Sequence, residues 1–324
     1  NQQDEAIAHL RAVLLVDPKH EGALRSLQRL YRSREEFQAL VPVIERLSKL
    51  EADPAVRSVL DREAAVLSEQ KLGDLERAAA NWRLIAARDV LAREAATALD
   101  RLYAELDKPH ELAFALELRR NQEGQSPQGR ELAFRLAALR QNRLNDARGA
   151  LEVYRQILSE DPSHEGTREA LDVWARGTDP DAALAAEILD AVLARTEDHQ
   201  RRIALREARL QQAATPAERA RVAAEIRAIL ERDLGQADAA FMNALKAFTD
   251  GLDRAGVQPE LERLARATGS FEELAEIYET TVEELPAGDG LRLPLLRRAA
   301  ELREQLNEPD EATRVWKQLL ELAQ

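Results

Sequence analysis

Along residues 131–162, ELAFRLAALRQNRLNDARGALEVYRQILSEDP, apolar side chains recur with a helical period. Leu132, Leu136 and Leu139 form one stripe, and Ala150, Tyr154, Ile157 and Leu158 form a second, each on one face of a 3.6-residue helix. Asn145-Asp146 supplies the turn between them and a cap for the second helix. Asp161-Pro162 ends that helix, because proline pushes the residue before it out of helical geometry. The same alternation of amphipathic stripes and short polar breaks runs along the chain. Breaks at Gly73-Asp74, Lys108-Pro109, Thr178-Asp179-Pro180, Gly269-Ser270 and Glu308-Pro309 predict about eight helical hairpins. A leading half, DEAIAHLRAVLLVDP, reads as the second helix of a hairpin whose first helix is absent. The expected fold is all-α, a solenoid of antiparallel helical hairpins with about 17–18 helices.

The hairpins repeat in pairs. Trp82, Tyr154 and Ile226 are spaced by 72 residues, each following a smaller residue four positions earlier (Ala78, Ala150, Val222). Leu27, Leu99 and Leu171 keep the same spacing, as do Leu30, Leu102 and Trp174, and Leu40, Leu112 and Leu184. The segment DPKHEG at residues 17–22 returns as DPSHEG at residues 161–166, two periods later. Beyond Asp233 every column jumps by 90 residues instead, to Leu261, Leu264, Leu274 and Trp316. The excess of 18 is one helix and not a hairpin. Residues 236–250 are the expected extra helix, with Gly251, Gly256 and Pro259 breaking the chain after it. The expected organisation is a regular array over residues 1–233, starting within a repeat, an inserted helix and irregular seam over 234–256, and further hairpins over 257–324.

Hairpins of this length and pattern resemble tetratricopeptide repeats (TPRs), and the alternation of units is similar to the long multi-repeat TPR proteins of bacteria. The best match is residues 131–164. Ala138 stands where that family places a small residue, Ala150 at the small position opening the second helix, Tyr154 at the large aromatic and Pro162 at the terminal proline. Ala6, Leu10 and Pro18 match in the leading half, and Ala312 and Trp316 in the last hairpin. Alternate units, over 19–50, 91–121 and 164–196, depart from the pattern, and that over 257–285 is expected to have a short first helix. The resemblance implies a right-handed superhelix whose first helices line a concave groove that takes peptides or protein segments. The two-Lys, two-Asn clamp of chaperone-binding TPR domains is not reproduced.

Composition narrows the functional classes. Hydrophobic residues are 45% and charged residues 32%, enough apolar material for a core. The net charge of −13 argues against a nucleic-acid partner, which needs a basic face. No apolar run is long enough for membrane insertion. With no cysteine, disulfides, thiolate metal sites and cysteine nucleophiles are excluded. The five histidines form no ligand motif, and no phosphate-cradling glycine loop is present, so no catalytic, metal or cofactor site is expected and folding should need no cofactor.

Two surface features remain. Arg25, Arg29, Arg32, Arg101, Arg135, Arg176, Arg206, Arg263, Arg266 and Arg298 fall on first helices, where the groove would lie. They would suit a carboxylate-rich protein or peptide, since guanidinium groups bind carboxylates with two parallel hydrogen bonds, or they pair with neighbouring acids of the same chain. Phe241, Met242, Leu245 and Phe248 share one face of the inserted helix, either buried against neighbouring hairpins or exposed as a docking ridge. The expected function is therefore a non-enzymatic scaffold holding a protein or peptide in the groove. The alternative is a regulatory or substrate-recruiting arm of a larger multidomain protein. The array ends and the inserted helix offer routes to a homo-oligomer.

Overall fold

The computed structural model describes residues 2–88 and 92–322, and among them all regular structure is helical. The chain forms two compact units, residues 1–167 and 168–324. The first begins with α1 (Gln2–Val16). Four hairpins follow: α2 (Glu21–Ser33) with α3 (Phe37–Leu50), α4 (Pro54–Gln70) with α5 (Leu75–Ala86), α6 (Ala92–Glu105) with α7 (Pro109–Glu123), and α8 (Pro127–Asn142) with α9 (Ala147–Glu160). The unit boundary falls inside α10 (Glu165–Ala175). The second unit continues with α11 (Ala182–Arg195), α12 (His199–Gln212) and α13 (Pro216–Ala228), which runs into a π-helical turn, Ile229–Asp233. Then come α14 (Ala237–Thr249), α15 (Arg254–Thr268), α16 (Phe271–Glu284), α17 (Arg292–Gln305) and α18 (Pro309–Leu322). Each unit is an all-α array of consecutive helical hairpins, as expected from the periodicity.

The twice-written DPxHEG segment is a helix-to-helix junction. Asp17 and Asp161 each accept an N–H two residues on (Lys19 and Ser163, both 3.0 Å), which folds the chain around the proline. The histidine then caps the following helix: His20 Nδ1 accepts Ala23 N–H at 3.1 Å and His164 Nδ1 accepts Thr167 N–H at 3.2 Å. Within hairpins the turn needs one left-handed residue, and Glu35, Gly73, Asp107, Asn145, Gly269 and Asn307 fill that place with φ between 53° and 81°.

Small residues set the helix spacing. Ala64, Ala65, Ala78, Ala95, Ala96, Ala115, Ala137 and Ala150 are almost fully enclosed, letting neighbouring backbones approach while leucines fill the layers between them. The aromatic columns serve the same core. Tyr154 lies 5.9 Å from the Phe134 ring, and Phe248 lies 5.4 Å from Tyr278.

The stretch read as an extra helix folds as α14, packed against α13, α15 and α16. The expected breakers after it need correcting. Gly251 does end a helix, with φ 74°, but Gly256 and Pro259 lie inside α15, which is a full-length helix and not a short one. Asp253 starts it by accepting Gly256 N–H at 3.2 Å, and a side chain at Gly256 would collide with that carboxylate. Proline so near the start of a helix removes only one backbone hydrogen bond.

Candidate functional site

Charged side chains tie each hairpin to the next. On the first helices of residues 1–167, Arg32 of α2 holds Glu63 of α4, Arg62 of α4 holds Glu94 of α6 at 2.8 Å, Arg101 of α6 reaches back to Glu69 of α4 at 2.6 Å, and Arg135 of α8 reaches Asp100 of α6 at 2.8 Å. The partners stand 31–35 residues apart, one hairpin along the chain. First helices are thus laid side by side into one wall, with these arginines partly exposed along it. Second helices have their own rungs. Arg77 of α5 takes both oxygens of Glu45 of α3, at 2.8 and 2.7 Å, and Arg120 of α7 donates to Gln156 of α9. Burial pushes the Glu45 pKa up, but hydrogen bonds from Arg77 and Asn81 outweigh it and leave the carboxyl below its usual range.

The second unit repeats the device. Arg298 of α17 holds Glu262 of α15 at 3.1 Å and Arg314 of α18 holds Glu279 of α16. Arg263 of α15 spans Glu260 and Glu231, both at 2.6 Å, and those bonds keep its guanidinium protonated well beyond the ordinary limit.

Of the ten arginines expected on the groove wall, eight therefore have a carboxylate of their own chain within salt-bridge distance. Arg25 is held loosely, at 3.6 Å from Glu21 and 3.9 Å from Glu51, and Arg176 pairs with Asp172 on its own helix at 2.8 Å. Arg206 is not a surface group: its side chain is 11% exposed, with two hydrogen bonds to Asp190 and one to Glu225. Burial raises the Asp190 pKa, and Arg206 and Arg202 more than reverse that. Only Arg29 and Arg266 make no ion pair among the described residues. Arg29 borders a cleft between α1 and α2 together with His9, Leu10 and Leu30.

On α14, Phe241 (2% exposed) and Phe248 (0%) are interior, Leu245 is half-buried, and only Met242 (58%) faces water. The four do not form one exposed ridge, because α15 and α16 cover the phenylalanine side of the helix.

Three acids that anchor these networks did not stand out from the sequence periodicity: Asp61 and Asp100, both buried, and Asp190, half-buried. Asp61 binds Ser48 and Arg88, and Asp100 binds Arg119 and Arg135. Their signal was present in the pattern. Ser58, Asp61 and Ser68 occupy core positions of α4 that an apolar stripe should have filled. Among the described residues no group of three or more His, Asp or Glu is arranged to hold a metal.

No protein-family model matches the chain, and no curated protein matches it. Solved structures do. The Naa15/Naa10 complex bound to HypK-THB aligns at 15% identity with a TM-score of 0.34, covering 97% of this chain and 60% of that one. A tetratricopeptide repeat protein from Parabacteroides merdae aligns at 15% identity with a TM-score of 0.27, covering 81% and 92%. The TPR domain of P58(IPK) aligns at 14% with a TM-score of 0.22, covering 94% of each. The chain thus spans less than two thirds of the first of these. By its own helices each unit is an all-α array of consecutive helical hairpins, and the resemblance to TPR positions is fullest over residues 131–164.

Proposed function

We propose that the chain is a non-enzymatic protein-interaction scaffold, holding a protein or peptide segment along the wall built by its first helices. The observation that carries this reading is the run of cross-hairpin ion pairs from α2 to α8. It sets four first helices side by side and leaves a continuous, solvent-facing, charged surface. Repeat arrays expose such surfaces because each hairpin needs only its neighbours for burial. A carboxylate-rich segment would first meet Arg29, which no internal acid claims, and Arg25, which Glu21 and Glu51 hold only loosely. The others exchange an internal carboxylate for an external one, which favours segments presenting several acids in register. We place the change in repeat stacking at residues 234–256, supported by α14 packing against α13, α15 and α16 in place of a regular hairpin.

The test is capture of partners on the immobilised chain, repeated with Arg25→Glu and Arg29→Glu together. Neither side chain is buried, so the fold should survive. Loss of a partner held by wild type supports the wall. Undiminished capture by the double variant would sink it.

A further inference from the structure

The second-helix face of residues 1–167 carries two clefts that the wall does not use. One, of about 520 Å³, is lined by Ser48 and Lys49 of α3, Arg57 and Asp61 of α4, and Leu84 and Arg88 on and just after α5. The other, of about 220 Å³, is lined by Arg120 and Asn121 of α7, Gly129 and Ala133 of α8, and Gln156 and Glu160 of α9. Six of the nine residues lining the larger cleft and six of the ten lining the smaller correspond at a separation of 72 residues: 48 with 120, 49 with 121, 57 with 129, 61 with 133, 84 with 156 and 88 with 160. The repeat has built the same cleft twice, over a first helix and between two second helices. On α4 the cleft residues Arg57 and Asp61 lie about 140° and about 100° around the helix from Arg62, which belongs to the first-helix wall.

The chemistry of the larger cleft is lopsided. Its carboxylates are fully used: Asp61, 1% exposed, accepts from Ser48 and Arg88, and Glu45 accepts from Arg77 and Asn81. Its cations are not. Arg57 gives Nε and Nη2 to the Glu51 carbonyl and keeps Nη1 spare. Arg88 spends Nη1 on Asp61, and Lys49 has no hydrogen bond or ion pair among the described residues. The smaller cleft sets two cations, Arg120 and Arg130, against Glu160; Arg120 gives only Nη2, to Gln156, whereas Arg130 gives Nη1 to the Gln125 carbonyl and lies 3.6 Å from Asp161. Its floor is backbone, since a side chain at Gly129 would strike the Gly124 carbonyl. In a chain of net charge −13, both clefts offer unspent donors to an anion.

We propose that this face binds an extended acidic peptide, with one carboxylate against Lys49, Arg57 and Arg88 and a second against Arg120 and Arg130. The clefts lie two hairpins apart, roughly 20 Å at 8–10 Å per packed helix. An extended chain advances about 3.3 Å per residue, so the two acids stand about six residues apart. This site is independent of the first-helix wall and survives if the wall reading fails.

The experiment is fluorescence anisotropy of the full chain with labelled twelve-residue peptides of Gly and Ser carrying two Glu, spaced either six or two apart. The six-spaced peptide should bind saturably and about tenfold or more tighter than the two-spaced one, because only it can occupy both clefts. Lys49→Glu and Asn121→Glu, at exposed positions with no hydrogen bond or ion pair to lose among the described residues, should each reduce the six-spaced peptide to the affinity of the two-spaced one. Circular dichroism confirms that both variants fold. Equal binding of the two spacings, or binding indifferent to both variants, would overturn the proposal. So would tripolyphosphate displacing the peptide without regard to its spacing, which would mark a site for phosphate anions in general.

Discussion

Phe248→Ala decides whether α14 is part of the fold or an appended docking element. The side chain is 0% exposed, packed at a tilt against the Tyr278 ring of α16, and belongs to the core that joins α14 to α15, α16 and α17. Truncating a buried phenylalanine costs about 3–5 kcal/mol, from lost transfer energy plus the cavity left behind. A domain's net stability is only about 5–15 kcal/mol, so a large part of the second unit's reserve disappears. With a urea slope of about 2 kcal/mol per molar, the unfolding midpoint of that unit should fall by about 2 M. The comparison is Met242→Ala on the same helix, 58% exposed, which should cost below about 0.5 kcal/mol and barely move the midpoint. Urea titrations of the full chain followed by far-ultraviolet circular dichroism give both numbers. If Phe248→Ala and Met242→Ala shift the midpoint alike, α14 is not packed as described and the account of the seam is wrong.

Burial pushes the Tyr154 hydroxyl pKa up to about 12 from 10.0. The unfolded chain releases that proton first, so the first unit should lose up to about 2.7 kcal/mol as pH rises from about 10 to 12. Tyr154→Phe should flatten that loss, and an unchanged alkaline profile would contradict the burial argument. Glu35, held at φ 55°, should be improved by Glu35→Asn, which copies Asn145 and Asn307 in matching turns, with a gain of a few tenths to about 1 kcal/mol by thermal unfolding. A loss instead would show an unrecognised role for the Glu35 carboxylate. Asp100→Asn should cost about 1.5–3 kcal/mol, since Asp100 is 5% exposed and serves both Arg119 and Arg135. A double-mutant cycle with Arg135→Gln should show coupling, and additive effects would refute the rung between α6 and α8.

The hairpins were legible because each must bury one stripe against its neighbours, so Leu27, Leu99 and Leu171 recur wherever the same seat recurs. The extra helix showed itself as a phase jump in every column at once. Other features were not readable along one helix. Pro259 looked like a breaker because its place in a helix depends on where Asp253 starts that helix, and a left-handed aspartate has no marker in sequence. The arginine row was visible, but its neutralisation was not: Arg32 meets Glu63 and Arg135 meets Asp100 only once the hairpins stack. Arg206 carried the same signal as Arg32, yet it faces Asp190 across a helix pair and is enclosed. Asp61 and Asp100 break the apolar stripe at core positions, a mark that periodicity scoring treats as noise and that buried charge networks regularly leave.

The most direct measurement of the central claim is a crosslinking map of a captured partner on this 324-residue chain, read by mass spectrometry with carboxylate-reactive and lysine-reactive reagents. The partner's crosslinks are expected on first-helix positions that reach solvent, exposed Glu21 and half-buried Glu63 and Glu94 in the first unit, and are expected to be lost when Arg25 and Arg29 are both changed to Glu. Crosslinks confined to second helices, with none on α2, α4 or α6, would contradict it.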